Sequence, residues 1–143
     1  MKAISTFGFL LMVAGILGLI ATHSLFSTNL VVIAFQLAAV ALMIWARITF
    51  GRRSFHFAAN PSEGGLVTSG PYALMRHPIY AAVCYFAIAG ALGNLPKATC
   101  GIALLVLFGA AIRIIFEERL LLQQYPEYAA YAKRTKRVVP FVF

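Results

Sequence analysis

The sequence predicts an all-α integral membrane protein of about four transmembrane helices, with both termini cytoplasmic and a C-terminal amphipathic helical segment. Three observations predict this. Of 143 residues, 62% are hydrophobic and 11% charged, and the mean hydropathy is +0.86. A soluble domain carries roughly 25% charged residues, so this chain has too few charges to cover a water-facing surface. No Asp, Glu, Lys or Arg occurs between residues 3 and 46, and an apolar helix of about 20 residues spans a bilayer. The basic residues, finally, collect in alternate connections. The length suits one domain over residues 1–143.

The first apolar stretch holds two spans, near 5–21 and 30–50, split by the polar residues Thr22, His23, Ser24, Ser27, Thr28 and Asn29. Lys2 followed by an apolar run resembles a signal peptide, but no small-residue cleavage site precedes His23, so a retained first helix is expected. Gly15 and Gly18 in that helix are either close-contact positions or ordinary membrane-helix glycines. Trp45, Arg47, Arg52 and Arg53 end the second span in an anchoring pattern. The third span, near 78–92, opens on Pro78, which suits the first turn of a helix. It is short. Gly93-Asn94-Leu95-Pro96-Lys97 forms a turn, and the fourth span, near 98–116, is expected to continue as helix to about residue 124. Pro126 then suits the start of a short amphipathic helix carrying Tyr128 and Tyr131.

The connection between the first two spans has no Lys or Arg, the second has Arg47, Arg52, Arg53 and Arg76, the third has only Lys97, and the tail has Arg119, Lys133, Arg134, Lys136 and Arg137. The positive-inside rule puts the termini and the second connection in the cytoplasm. It also brings residues 64–80 to the same side as the tail. The net charge of +8 is read as contact with anionic headgroups rather than with nucleic acid. Cys84 and Cys100 lie in apolar surroundings as packing residues, and no Cys/His spacing suggests a metal.

The residues that carry chemistry fall in two places. Arg76-His77-Pro78-x-Tyr80 is the densest constellation; Pro78 holds His77 away from helical geometry. The motif reads either as an interfacial belt or as the wall of a site. Glu117 and Glu118 are two of only four carboxylates. They sit at the negative end of a helix macrodipole and so require a compensating cation. Arg113, one turn earlier and within a span, is a candidate partner and a functional-site hypothesis of its own. Tyr125, Tyr128 and Tyr131 share one helical face, suited to headgroups or to a planar ring. His23 and His56 are single loop histidines.

Leu66-Val67-Thr68-Ser69-Gly70-Pro71-Tyr72 with Arg76-His77-Pro78-Ile79-Tyr80 resembles the isoprenylcysteine carboxyl methyltransferase family. So does Glu117-Glu118-x-Leu120 followed by Tyr125-Pro126-Glu127-Tyr128-x-x-Tyr131, Lys133-Arg134 and Pro140. The resemblance covers about residues 64–141. It implies an integral membrane methyltransferase using S-adenosyl-L-methionine, bound at the cytoplasmic ends of the last spans under the C-terminal segment. Carried over, His77, Pro78 and Tyr80 border the cofactor. Glu117 and Glu118 meet its ammonium or ribose hydroxyls. Leu66, Val67 and Gly70 give backbone around it, and Tyr125 and Tyr128 help cover it. Arg76, His77, Tyr80 and Arg134 form the implied catalytic set, with no metal. The family often has Gly two residues after the Tyr of its motif, where this chain has Ala82.

The resemblance further implies a lipophilic small-molecule or lipid-linked substrate, most readily an isoprenylcysteine-like carboxylate, reaching the site from the bilayer. The expected location is a bacterial inner membrane with the site facing the cytoplasm. The chain lacks the extra spans of eukaryotic members, which bears on the prenylated-protein substrate. Competing readings are a phospholipid N-methyltransferase or small-thiol or amine methyltransferase, a sterol-reductase-like enzyme using a nicotinamide cofactor, a small proton-coupled carrier, and a non-enzymatic adaptor. A carrier needs an acid inside a span, and the first acidic residue here is Glu63, in a connection.

Overall fold

A computed structural model describes residues 2–51, 65–94 and 97–140. Arg52, Arg53, His56, Glu63 and Gly64 fall outside them. The helices are α1 (Lys2–Ala21), α2 (Leu30–Phe50), α3 (Pro78–Gly93), α4 (Lys97–Gln124) and α5 (Tyr128–Arg134), with a 3-10 turn at Gly70–Ala73 before α3. Among the described residues there is no strand, only a parallel bridge between Met75 and Lys136.

Local chemistry sets the helix starts. Asn29 caps α2: its Oδ1 accepts from the Val31 N–H at 2.9 Å and the Val32 N–H at 3.4 Å, satisfying donors that have no intrahelical partner. Pro78 occupies the first turn of α3, and His77 before it stands at φ −126°, outside the helical region as its place before a proline demands. The 28-residue α4 runs on past residue 116 to Gln124, as its sequence suggests.

Three helices are long and apolar enough to cross a bilayer, at Ala3–Ala21, Leu30–Phe50 and Ala98–Gln124. The 16 residues of α3 reach about 24 Å at 1.5 Å per residue, short of a hydrocarbon core of about 30 Å. The fourth expected span is therefore a shorter apolar helix packed between its neighbours.

The helices run antiparallel in sequence order. Helix α1 lies against α4 and α2 against α3, with α3 also on α4. The α1–α4 crossing is a backbone contact. A Cβ placed on Gly109 would stand 2.5 Å from the Gly8 carbonyl oxygen, and one on Gly15 would stand 2.6 Å from Val106 Cγ2. Gly15 and Gly18 thus serve the close-contact role. Association within lipid depends on such fits and on interhelical hydrogen bonds. The latter join α2 to its neighbours: buried Gln36 donates through Nε2 to the carbonyls of Leu25 (2.6 Å) and Phe86 (3.4 Å). Leu19, Leu25, Ala87, Ala91, Ala103 and Val106 form the main core, and Cys84 packs with Met12 and Ala110. The outward faces keep Phe7, Leu10, Leu17, Phe35, Leu37, Ile48, Leu104 and Phe108 exposed, far more apolar surface than a soluble monomer shows.

This arrangement puts the start of α1, the end of α2, the start of α3, the end of α4 and all of α5 at one end of the bundle. His23, at φ +53°, turns the chain at the other end.

Gly109→Ala is expected to lower the thermal midpoint of the purified protein in detergent, by overpacking worth about 1–3 kcal/mol. Gly101→Ala, where an added Cβ meets nothing within 4 Å, is expected to leave the midpoint unchanged or raise it. Equal effects from the two would disprove the backbone contact.

Candidate cofactor site

The loop that enters the site is fixed first against α2. Gly70 takes φ +56°, and a Cβ there would stand 2.7 Å from Thr49 Oγ1 and 3.2 Å from Trp45 Nε1, so only glycine meets both demands. Tyr72 then stacks on Phe50 with ring centroids 5.5 Å apart. Its carbonyl accepts a 2.6 Å hydrogen bond from the Tyr131 hydroxyl of α5.

Beyond it the chain runs beside the tail like a short strand. The Arg76 N–H donates to the Lys136 carbonyl at 2.7 Å and the His77 N–H to the Arg137 carbonyl at 2.9 Å. The Tyr85 hydroxyl donates to the Val138 carbonyl. Arg76 also reaches across the end of α5, donating to the carbonyls of Ala132 at 2.8 Å and Thr135, where a helix leaves its carbonyls without partners. The tail is thereby strapped over the start of α3.

Glu118 sits under the strap, 8% exposed. Its Oε1 accepts from Arg76 Nε at 2.8 Å and lies 3.3 Å from His77 Nε2, and its Oε2 accepts from Arg137 Nε at 3.0 Å. A carboxylate only accepts, so His77 Nε2 carries a proton in this contact. Both oxygens are engaged by groups from the loop and the tail. Removing one member of a buried ion pair typically costs about 3–5 kcal/mol.

Glu117, one residue earlier, points elsewhere. Its Oε2 accepts from the Tyr80 hydroxyl at 2.8 Å, and Tyr80 oxygen accepts from Arg113 Nε at 2.8 Å. Arg113 is thus joined to Glu117 through a phenol. The Tyr80 and His77 rings lie 5.8 Å apart, so the two carboxylate clusters share one wall. Glu117 Oε1 makes no hydrogen bond to any described residue, and Glu117 as a whole is partly buried.

The tyrosines of the tail divide. Tyr128 and Tyr131 are buried, their rings 5.8 Å apart, whereas Tyr125 is half-buried at the corner before α5. Burial pushes the Tyr131 phenol up to about 12. It also raises those of Tyr128 and Tyr72, with the charges of Glu118 and Glu117 respectively adding to the effect. All three are hydroxyl donors at neutral pH. Tyr131 uses its proton on Tyr72. The Tyr128 hydroxyl, by contrast, is fully buried and unpartnered, an expense proteins seldom carry without a ligand or water to meet it.

The structure therefore brings Arg76, His77, Pro78, Tyr80, Glu117, Glu118 and Tyr128 together. Leu66 and Val67 are half-buried on the entering loop, and Gly70 faces α2. Arg134 is exposed and lines a separate open cavity of about 270 Å³ with Thr68, Ala73, Tyr131 and Thr135. Ala82 is buried in α3. Among the described residues no three His, Cys, Asp or Glu side chains cluster as metal ligands do. Sequence reasoning counts Arg137 only among the tail's basic charges. Its signal is the carboxylate pair itself, which requires cations that one arginine cannot supply.

The isoprenylcysteine carboxyl methyltransferase (ICMT) family matches residues 30–123, more than half of the chain, and the chain belongs to that family of membrane methyltransferases. It is 40% identical over 80 residues to the cobalt-zinc-cadmium resistance protein CzcN of Cupriavidus metallidurans, covering 52% of this chain and 35% of that protein. It is 38% identical over 80 residues to the nickel-cobalt-cadmium resistance protein NccN of Alcaligenes xylosoxydans xylosoxydans, covering 52% and 36%. The chain spans about a third of the length of these relatives. No solved structure matches it.

Glu118→Ala is expected to free the strap, because three cationic or hydrogen-bonding groups lose their common acceptor. Limited trypsin digestion in detergent then cuts between Lys133 and Arg137 at least about ten-fold faster than in the wild type, the ratio about 1.4 kcal/mol of local opening gives. An unchanged cleavage rate would show that the tail is held by other means.

Proposed function

We propose that this chain is an S-adenosyl-L-methionine-dependent methyltransferase acting on a lipophilic acceptor, most readily an isoprenylcysteine-like carboxylate. One observation carries the reading: at one end of the α3–α4 hairpin, beside the saturated Glu118, a Glu117 carboxylate oxygen and the buried Tyr128 phenol have no hydrogen-bond partner among the described residues. Family membership supplies the reaction class. The residues present fit the cofactor's groups. Glu117 Oε1 suits an ammonium or a pair of ribose hydroxyls, the Tyr128 hydroxyl suits an acceptor atom, and the rings of His77 and Tyr80 suit a flat apolar surface. Glu118, with both oxygens engaged, acts by holding His77, Arg76 and the tail in place.

When bound, the cofactor supplies an electrophilic methyl group on a sulfonium. The chain's own task is alignment and electrostatics. A carboxylate acceptor in a site of low dielectric is poorly solvated and needs no general base. The Tyr80 hydroxyl already donates to Glu117, so Tyr80 serves as a fixed dipole rather than as a proton donor to the acceptor. For an amine acceptor the base would be His77, whose Nδ1 is the ring nitrogen not turned to Glu118.

In this reading the gathered end of the bundle faces the cytoplasm of a bacterial inner membrane, with the polar cofactor entering from water and the acceptor from the bilayer. The curated relatives' names refer to metal resistance. No ligand cluster among the described residues links that role to this chain, and small thiols join prenylcysteine analogues and phosphatidylethanolamine as acceptors to compare.

Titration of the detergent-solubilised protein with S-adenosylhomocysteine is expected to show saturable binding. Glu117→Ala should weaken that binding by at least about ten-fold, as loss of a charged hydrogen bond predicts. Transfer of labelled methyl to at least one lipophilic acceptor should accompany it. Absence of both binding and transfer, or preferential binding of NADPH, would overturn the reading.

A further inference from the structure

The family match begins at residue 30, so α1 lies outside it, and nothing in the chemistry above uses α1. Yet α1 reaches the site through Arg113. This arginine is 5% exposed in a helix of membrane-spanning length, a position charged residues hold only when well partnered. Two sides of the bundle supply partners. From α1, the Ser5 carbonyl accepts from the guanidinium at 3.4 Å, and the Phe9 ring lies 5.4 Å from the guanidinium carbon. From α3, the Tyr80 ring lies 5.7 Å away, and Tyr80 oxygen accepts from Nε at 2.8 Å. The Gly8–Gly109 contact makes this clamp geometrically accessible. Gly8 adjoins Phe9, and Gly109 stands one turn before Arg113.

The clamp has a directional consequence. A guanidinium only donates. Tyr80 oxygen, accepting from Arg113, turns its single proton to Glu117 Oε2 at 2.8 Å. The series Arg113, Tyr80, Glu117 runs one way and ends on a carboxylate whose other oxygen is open.

We propose that Arg113, held by Ser5 and Phe9 of α1, is a positioning residue of the cofactor site: it sets the direction of the Tyr80 hydroxyl and through it the orientation of Glu117. The proposal rests on the methyl-transfer reading. It also assigns α1 a role in the site, as the outer support of Arg113. A purely structural arginine, joining α1 to α4, would lower thermal stability when replaced and leave cofactor affinity of the folded protein unchanged. It would also show no dependence on Tyr80.

The test is a double-mutant cycle on the full chain in detergent, read by S-adenosylhomocysteine affinity with thermal midpoints alongside. Arg113→Met and Tyr80→Phe are each expected to weaken binding about ten-fold. The double variant should be no weaker than either single one, because both break the same series. Arg113→Lys should recover part of the loss, and Phe9→Leu should show a smaller loss with a nearly unchanged midpoint. Wild-type affinity in Arg113→Met, or losses that multiply in the double variant, would overturn the proposal. If Arg113→Met does not fold, unchanged affinity in both Arg113→Lys and Phe9→Leu overturns it instead. A wild type that binds no S-adenosylhomocysteine removes the methyl-transfer reading and this proposal together, whereas a binding wild type with unaffected variants removes the proposal alone.

Discussion

A carboxylate buried at the end of a membrane helix must find cations, and the placing of Glu118 in this fold follows from that need. Glu118 stands six residues before the Gln124 end of α4, beyond the last turn in which the macrodipole acts, so it is the burial of the charge that makes an isolated ion costly. The partners come from two separate parts of the chain, the Arg76 guanidinium and the His77 Nε2 from the loop before α3 and the Arg137 guanidinium from the tail. Meeting the demand of one side chain therefore closes the tail over the loop. The backbone pairing of residues 75–77 with 136–137 and the Tyr85 and Tyr131 hydroxyl bonds lie along the same seam. They add geometry to a closure that electrostatics requires.

Two adjacent acids then have different duties because of helix geometry. Consecutive residues on a helix project about 100° apart at 3.6 residues per turn. Glu118 faces the loop and tail and is saturated. Glu117 faces α3, where a neutral phenol rather than a cation is its nearest donor, so its charge is compensated at one remove by Arg113. Direct pairing with a guanidinium often engages both carboxylate oxygens. Compensation through a single hydroxyl holds one oxygen and leaves the other open. The difference between a saturated carboxylate and one with an open oxygen is thus made by rotation about one helix.

Much of this was legible in the sequence. The absence of charge over residues 3–46, the polar cluster from Thr22 to Asn29, and Pro78 at a helix start give α1, α2 and α3 to within a few residues. The two acids at a helix end announce that cations must approach, and charge asymmetry among the connections brings residues 64–80 and the tail to one end. What was not legible is tertiary. Nothing local distinguishes Arg137 from Lys133 or Arg134, yet it alone of the three meets Glu118, because its register opposite His77 is set by the strap. Gly8 and Gly109 lie too far apart in sequence to be recognised as a pair, and Gly70 reads as a loop glycine until Thr49 and Trp45 are seen against it.

The bundle and the site are consequently one construction. Helix α1 approaches α4 only because both carry glycine at the crossing. That approach puts Phe9 and the Ser5 carbonyl around Arg113, and the arginine directs Tyr80. The buried side-chain atoms left without partners among the described residues, Ser5 Oγ and the Tyr128 hydroxyl, both belong to the gathered end of the bundle, while at the opposite end Asn94 Nδ2 donates to the carbonyls of Phe26 and Gly90 at 2.8 and 2.9 Å and Gln36 Nε2 to those of Leu25 and Phe86. Unmet polar capacity in an apolar protein is unfavourable wherever it occurs. Among the described residues the buried, unpartnered atoms lie at the end that holds Glu117, the pattern expected where a polar ligand completes the structure from that side.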